Sequence, residues 1–328
     1  MFQKTMATGR FTLAVAYIFA SLLWVAHSLL AFGNEGVAHM LVFQDDGGIL
    51  PFPPIAGLLA GLAVSAVATY AMAELNNAFV MLRINSRMLS STLLVLIASV
   101  TSYHTLQSAH LILCCSVLAY FPLFRSYQRP EATVNPFLVA LAISVSSLVF
   151  ARMLWFVPIL WVSQALLRSF SFRGWVASLF GLLMPYWLWA GTAYCMNRWN
   201  VFEAHVQTLL QLHLPDYTHV DWIQLLPVLL TFLLFLIGVV DNLLNQHLDK
   251  TRIRCHYSCV IFTGLTAYVW IALQPQDWNY IFPVAMTGTA MLGGHFLALS
   301  VGRVQNIVSI IFALSFALVG IVEMFLYH

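Results

Sequence analysis

Long runs of apolar residues, separated by short polar stretches, recur along the whole chain. A bilayer core of about 30 Å is crossed by about 20 residues of α-helix, which rises about 1.5 Å per residue. The runs that reach or approach this length are 11–32, 52–73, 174–196, 223–241, 279–300 and 305–326. The shorter runs are 89–103, 107–124, 134–150, 153–168 and 257–273. This pattern predicts an all-α, polytopic transmembrane helix bundle of about 11 segments.

Four of the shorter runs form two hairpins with short arms, 89–124 and 134–168. A tripeptide that begins at His104 joins the arms of the first hairpin, and the arms of the second meet at Ala151-Arg152. Arms of about 15 to 18 residues hardly reach across a bilayer. Each hairpin therefore either spans a thin region of the membrane or turns back inside the protein, and the sequence leaves both alternatives open.

Charged side chains are scarce in this chain. They make up 8% of its 328 residues, and 61% are hydrophobic, against about 25% and 45–50% in soluble domains. So few charges do not hydrate the surface of a water-soluble body of this size, which excludes a soluble enzyme and a nucleic-acid-binding protein. We predict a single integral membrane domain over 1–328, whose surroundings are membrane lipid.

The positions of the basic residues predict the orientation. If the N-terminus is inside, twelve of the 14 Lys and Arg residues fall on inner loops, and Arg152 and Arg198 fall outside. An excess of Lys and Arg marks the cytoplasmic side of a multi-pass protein. We therefore predict that the N-terminus is inside and the C-terminus outside.

The outer loop 197–222 contains an amphipathic segment. Apolar and aromatic residues recur from Trp199 to Leu210 with the spacing of one helix face. We predict an amphipathic helix over 199–213 that lies on the outer membrane surface. It ends before Pro215, because proline interrupts a helix.

Titratable side chains collect on the predicted outer side. His27, His104 and His110 lie near the outer ends of three helices, and imidazoles beside carboxylates bind transition metals or take part in acid–base chemistry. The alternative is that they are interfacial histidines without a ligand. Because none of them pairs at i, i+3 or i, i+4, we predict no metal site, and we name the three as candidate substrate-binding residues.

Asp45 and Asp46 form the most acidic point of the first outer loop. Such a pair could hold a divalent cation for a diphosphate-carrying lipid substrate. The alternative is a solvated turn, since Asp and the Gly that follows are ordinary turn residues. We include both aspartates among the candidate substrate-binding residues. No cofactor is predicted, and the divalent metal stays an open alternative.

Arg152 is the strongest single candidate for substrate binding. It lies at a hairpin tip between two apolar arms. If the hairpin turns inside the membrane, Arg152 requires an anion, either Asp45, Asp46 or Glu323 or the phosphate of a lipid. Alternatively, its side chain extends to the outer surface. For His295, inside a later helix, we expect a hydrogen bond to neighbouring backbone.

The second hairpin and the helix that follows it carry a resemblance to a known family. The segments are Asn135-Pro136-Phe137 through Arg152, Leu167 to Trp175, and Gly181 to Tyr186. They resemble an uncharacterised family of polytopic inner-membrane proteins of Bacteroidota. The resemblance implies a multi-pass protein of the bacterial inner membrane. Some relatives carry a carotene-monooxygenase label, but that chemistry needs helical histidines around one iron, and most histidines here lie on loops or helix ends.

Two classes of function fit these observations. The first is the handling of a lipid-linked or anionic envelope substrate at a polar site in the outer leaflet, as an enzyme or as a binding protein. The second is a non-catalytic membrane subunit that scaffolds an envelope complex with other membrane proteins. A membrane carotenoid oxygenase is the least favoured alternative.

Overall fold

In the computed structural model, the described residues are 12–33, 54–84, 86–210, 215, 217, 222–299 and 303–326. These residues form α-helices joined by short 3-10 helices and turns, and no strand occurs among them. The helices are α1 (Thr12–Gly33), α2 (Pro54–Phe79), α3 (Met88–Ala98), α4 (Ser108–Arg125), α5 (Val134–Ser147), α6 (Val157–Leu166), α7 (Phe172–Cys195), α8 (Trp199–Thr208), α9 (Trp222–Asn245), α10 (Thr251–Leu273), α11 (Trp278–Leu299) and α12 (Arg303–Leu326).

Six helical segments are long and apolar enough to cross a membrane, which indicates a membrane protein. They are Ala56–Phe79, Ser108–Arg125, Phe172–Cys195, Leu225–Leu248, Thr251–Leu273 and Pro275–Leu299. The prediction of an all-helical chain built from apolar helices is thus confirmed for the described residues. The count of 11 segments and the N-in, C-out orientation stay predictions.

The chain divides into two compact units. Unit 1 consists of the described parts of Met1–His110, Val220–Lys250 and Ala285–His328, and unit 2 of those of Leu111–His219 and Thr251–Val284. This division leaves the single integral membrane domain over 1–328 as a prediction.

Unit 1 is packed around α3, whose leucines are completely buried. α1 and α2 both pack against it. α11 also comes close: a Cβ on Gly294 would lie 2.8 Å from the Cα of Leu89. At Gly238 a Cβ would lie 2.7 Å from the carbonyl carbon of Leu292. Glycine at these two positions lets helix backbones approach to van der Waals contact, as is common in membrane bundles.

Unit 2 is held together chiefly by α5 and α7. Gly181 of α7 faces the backbone of α5, where a Cβ would overlap the carbonyl oxygen of Phe137. The opposite face of α7 exposes large apolar side chains, including Phe180, Leu183 and Trp187. An apolar face of this extent is typical of a surface that contacts lipid or another protein.

Each predicted short-armed hairpin has a 3-10 helix between its two arms. The turns are Thr101–His104 between α3 and α4, and Ala151–Phe156 between α5 and α6. With 14 and 10 residues, α5 and α6 are only about 21 and 15 Å long. These two α-helices are therefore shorter than the apolar runs 134–150 and 153–168, and the 3-10 helix Ala151–Phe156 takes up the start of the second run.

The amphipathic segment is helical, but it is shorter than predicted. α8 ends at Thr208, and the predicted end at 213 lies outside the described residues. Its inner face packs on α7 through Phe202 and His205, whose rings lie 5.3 and 4.8 Å from that of Trp189. Glu203 lies on the exposed face. The position of α8 on a membrane surface stays a prediction.

Candidate functional site

Arg152 and Asp277 form a buried ion pair at the turn of the second hairpin. Arg152 lies in the 3-10 helix Ala151–Phe156, and Asp277 ends the 3-10 helix Pro275–Asp277 that leads into α11. Nη1 of Arg152 donates a hydrogen bond to Oδ2 of Asp277. The two residues are 8% and 7% exposed. Two opposite charges are thus held together largely out of contact with solvent.

Aromatic rings complete the surroundings of this pair. The ring of Phe150 stacks on that of Tyr280, with centroids 4.7 Å apart and planes at 7°. The guanidinium carbon of Arg152 lies 5.9 Å from the centroid of Phe150, within the range of a cation–π interaction. Carboxylate and ring together fix the position of the guanidinium.

The enclosed alternative for Arg152 therefore agrees with its burial, but its carboxylate is not one of those named from the sequence. Glu323 accepts hydrogen bonds from the backbone nitrogen and the hydroxyl of Thr101, at 2.9 and 3.0 Å. Asp45 and Asp46 lie outside the described residues. Asp277 is the carboxylate that pairs with Arg152, because the turn before α11 brings it next to the hairpin tip.

An apolar cavity lies beside this turn within unit 2. It has an open side, and about 570 Å³ of empty space lies between its walls and in this opening. Met153 and Phe156, on the same 3-10 helix as Arg152, line it together with side chains of α4, α5, α6 and α10. The hydroxyls of Ser146 and Thr263 on its wall donate to carbonyl groups of their own helices. The wall consequently presents mainly hydrocarbon.

His104 is a structural residue of the first hairpin turn. It is completely buried, and its Nε2 lies 3.0 Å from the carbonyl oxygen of Ala98. Its ring packs 4.3 Å from that of Trp24, whose indole nitrogen donates to the backbone oxygen of His104 at 2.8 Å. A Cβ on Gly61 would lie 2.6 Å from that same oxygen. The residue thus fastens the turn to α1 and α2.

His110 has a local role at the start of α4. The backbone nitrogen of Gln107 donates to its Nδ1 at 3.2 Å, and Tyr103 meets its ring edge-on at 6.0 Å. The side chain of His27 lies outside the described residues. Whether the three histidines bind substrate stays a prediction. In the part of the chain that the structure describes, no group of three His, Cys, Asp or Glu could hold a metal ion.

The sequence analysis missed a second group of charged residues, which lies in unit 1. It consists of Arg83, Asp241, Asp249 and His295, and we call it the His295 cluster. Nδ1 of His295 lies 3.8 Å from Oδ2 of Asp241, and Nε2 lies 3.6 Å from Oδ2 of Asp249. Nε of Arg83 donates to Oδ1 of Asp249 at 2.6 Å. The sequence led us to expect a hydrogen bond from His295 to neighbouring backbone, but it did not indicate the two carboxylates on either side of the imidazole.

The two glycines before His295 explain how it reaches these partners. Gly293 lies against Leu234 of α9, and Gly294 against Leu89 of α3. The small residues draw the end of α11 close to its neighbours, so that His295 is 1% exposed. Two features of the sequence could have indicated the cluster. One is the Gly-Gly pair before His295, and the other is Asp241 at the end of the apolar run 223–241.

Asp249 is the anchored carboxylate of the cluster. Its side chain is 1% exposed. Burial by itself raises the pKa of the carboxyl group, but His295 and Arg83 outweigh burial and hold this pKa at about 2, below the ordinary 3.8. Asp249 is therefore ionised at neutral pH. Asp241, which accepts from Asn245 at 2.9 Å, is more open, with 14% of its side chain exposed.

Comparison with known proteins adds no assignment. The sequence matches no protein-family model, and neither the search of curated proteins nor the search of solved structures gives a match. The resemblance to the Bacteroidota family therefore stays an expectation from the motifs, and the function is argued from the site.

Proposed function

We propose that this chain is a multi-pass membrane protein that binds the hydrocarbon part of a lipid, or of a lipid-linked anionic substrate, in the cavity of unit 2. The observation that carries the proposal is the apolar cavity beside the 3-10 helix of Arg152. An acyl or prenyl chain is the ligand that such a wall favours, because burying hydrocarbon is favourable and leaves no polar group unpaired.

Arg152 supplies the polar end of the proposed site. A guanidinium has five N–H donors, and the described contacts use Nη1 alone for Asp277. Donors therefore stay available for a phosphate or carboxylate of the bound lipid, which a planar guanidinium recognises through two parallel hydrogen bonds. Asp277 keeps the guanidinium neutralised in the absence of this anion.

The distribution of Lys and Arg supports a location of this site at the outer leaflet. The resemblance to inner-membrane proteins of Bacteroidota supports the cytoplasmic membrane of a bacterium and an envelope lipid as the substrate class.

Photo-crosslinking tests the proposal. The purified full chain is reconstituted with phospholipids that carry a diazirine on the acyl chain. After irradiation, the labelled peptides are identified. We expect labelling at residues of the cavity wall in the native protein. Ala119→Phe, which fills the cavity lined by Ala119, should reduce this labelling severalfold. Ala165→Phe, at an exposed position of α6, is the matched control and should leave it unchanged.

The polar end of the site is tested with the same probes. Arg152→Gln/Asp277→Asn, which removes both charges of the buried pair, should lower the preference for an anionic phospholipid over phosphatidylcholine, while acyl-chain labelling of the cavity persists. Equal cavity labelling of the native protein and Ala119→Phe would contradict the binding proposal.

The alternative function, a scaffolding subunit, is favoured by a different observation. The face of α7 opposite α5 exposes Phe180, Trp187 and Tyr194. Aromatic residues are common in protein interfaces. Under this alternative, Trp187→Ala would release another membrane protein that co-purifies with the native chain, and filling the cavity would have no effect on that association.

A further inference from the structure

The His295 cluster is independent of the lipid cavity, and its charges define its chemistry. Asp241 and Asp249 contribute two negative charges, and Arg83 contributes one positive charge. With a neutral His295 these four side chains have a net charge of −1, and with an imidazolium their net charge is zero. The imidazole and the two carboxylates are largely buried, whereas 32% of the Arg83 side chain is exposed. Buried charges are more stable when they balance.

We propose that the His295 cluster is a proton-binding site, in which the imidazole holds one proton on each ring nitrogen and each N–H faces a carboxylate. The ligand is a proton taken from the aqueous phase. The bonds formed and broken are N–H bonds of His295, and the cluster gains one positive charge on binding.

The geometry of the ring favours this state. A neutral imidazole has one N–H donor and one nitrogen lone pair. Nδ1 faces Asp241 at 3.8 Å and Nε2 faces Asp249 at 3.6 Å, so in either neutral tautomer one lone pair faces a carboxylate oxygen. Two lone pairs repel each other, whereas the imidazolium directs a donor to each acceptor. A shift of less than about 1 Å brings both pairs to hydrogen-bonding distance.

The members of the cluster have different exposure, which gives the proton a route. Asp241 is the partly exposed carboxylate, and Asp249 is completely enclosed. A proton therefore reaches Nδ1 of His295 from the side of Asp241. Arg83 keeps Asp249 ionised, so the proton stays on the imidazole. The cluster stores one proton and does not pass it on through Asp249.

Four further titratable side chains on neighbouring segments are exposed. Glu74 on α2, Arg87 before α3, and His247 and Lys250 on the segment after α9 are exposed. Asn245 bridges the two sides, since its side chain donates to Asp241 and its backbone oxygen accepts from Arg83 at 3.3 Å. Asp241 and Asp249 therefore act on His295 directly, and Arg83 acts on it through Asp249.

Solid-state NMR of the full chain in lipid bilayers, with 15N-labelled histidine, tests the proposal. His295→Gln assigns the signal of His295. We expect both ring nitrogens of His295 to be protonated at pH 7.5. The midpoint pH of deprotonation should be at least one unit above about 6.5, the value of an unperturbed histidine.

Asp241→Asn supplies the second measurement. It removes the charge next to Nδ1 while preserving the size of the side chain, and we expect the midpoint pH of His295 to fall by at least one unit. A neutral His295 ring at pH 7.5 in the native protein would overturn the proposal, whatever the behaviour of the variants. An unchanged midpoint in a folded Asp241→Asn protein would overturn it as well.

Discussion

Asp277 accepts a hydrogen bond from Arg152, which precedes it by 125 residues, and both residues are more than nine-tenths buried. Attraction between opposite charges is strong in such surroundings, but the loss of water around each charge opposes it. The main effect of the pair on unit 2 is therefore that neither charge is buried without a partner.

We expect Arg152→Ala and Asp277→Ala each to destabilise the protein by about 3–5 kcal/mol, the cost of leaving one buried charge without its partner. Thermal unfolding of the purified chain in detergent measures this. The matched control is Arg173→Ala, an exposed position on α7, which should change stability by less than about 0.5 kcal/mol.

The double variant Arg152→Met/Asp277→Leu separates the ion pair from the loss of packing. Because it removes both charges and keeps apolar volume, it should be more stable than either single variant with alanine. A double variant that is as unstable as the sum of the two single variants would contradict the account of a coupled buried pair.

The His295 cluster predicts a loss of stability in acid. Since the pKa of Asp249 is about 2 in the folded protein and 3.8 is its ordinary value, the folded state binds fewer protons in this range. The carboxylate therefore contributes stability above pH 3.8, and this contribution is lost as the pH falls towards 2. We expect Asp249→Asn to be less stable than the native protein at pH 7, and the difference to shrink between pH 5 and pH 2. Glu131→Gln, on an exposed turn, should show no such convergence.

The orientation predicted from Lys and Arg is tested with a reporter that is active only outside the cytoplasm. Fused after His328 it should be active, and fused after Asp249 it should be silent. The second position lies in the short segment between α9 and α10. The reverse pattern would contradict the N-in, C-out topology.

The helices could be predicted from the sequence because crossing a bilayer requires long apolar runs. The run 174–196 is close to α7, and 279–300 is close to α11. α10 is different: its apolar run begins at 257, but the helix begins at Thr251. Its first turns carry arginines, which are good helix formers, so hydropathy underestimates its length.

The site could be predicted only in part. Arg152 was recognised because a lone arginine between apolar arms is unusual at any position in a membrane segment. Its partner Asp277 could not be recognised, because the pairing depends on two turns that meet only in the folded chain. The carboxylates next to His295 could not be predicted for the same reason, since they come from α9 and from the segment after it.

Close approach of helix backbones around α11 leads to a last prediction, on two glycines of unit 1. A Cβ on Gly238 would lie 2.7 Å from a backbone atom of Leu292, and one on Gly294 would lie 2.8 Å from the Cα of Leu89. Since backbone cannot move aside as a flexible side chain does, Gly238→Ala and Gly294→Ala should each destabilise the protein by about 1–3 kcal/mol.

Gly191→Ala on α7 is the matched control, because nothing lies within 4 Å of its Cβ. Alanine is the better helix former by about 1 kcal/mol, so this variant should unfold at the same or a higher temperature than the native protein. If Gly238→Ala and Gly294→Ala unfold no earlier than Gly191→Ala, the helices of unit 1 do not approach as closely as described.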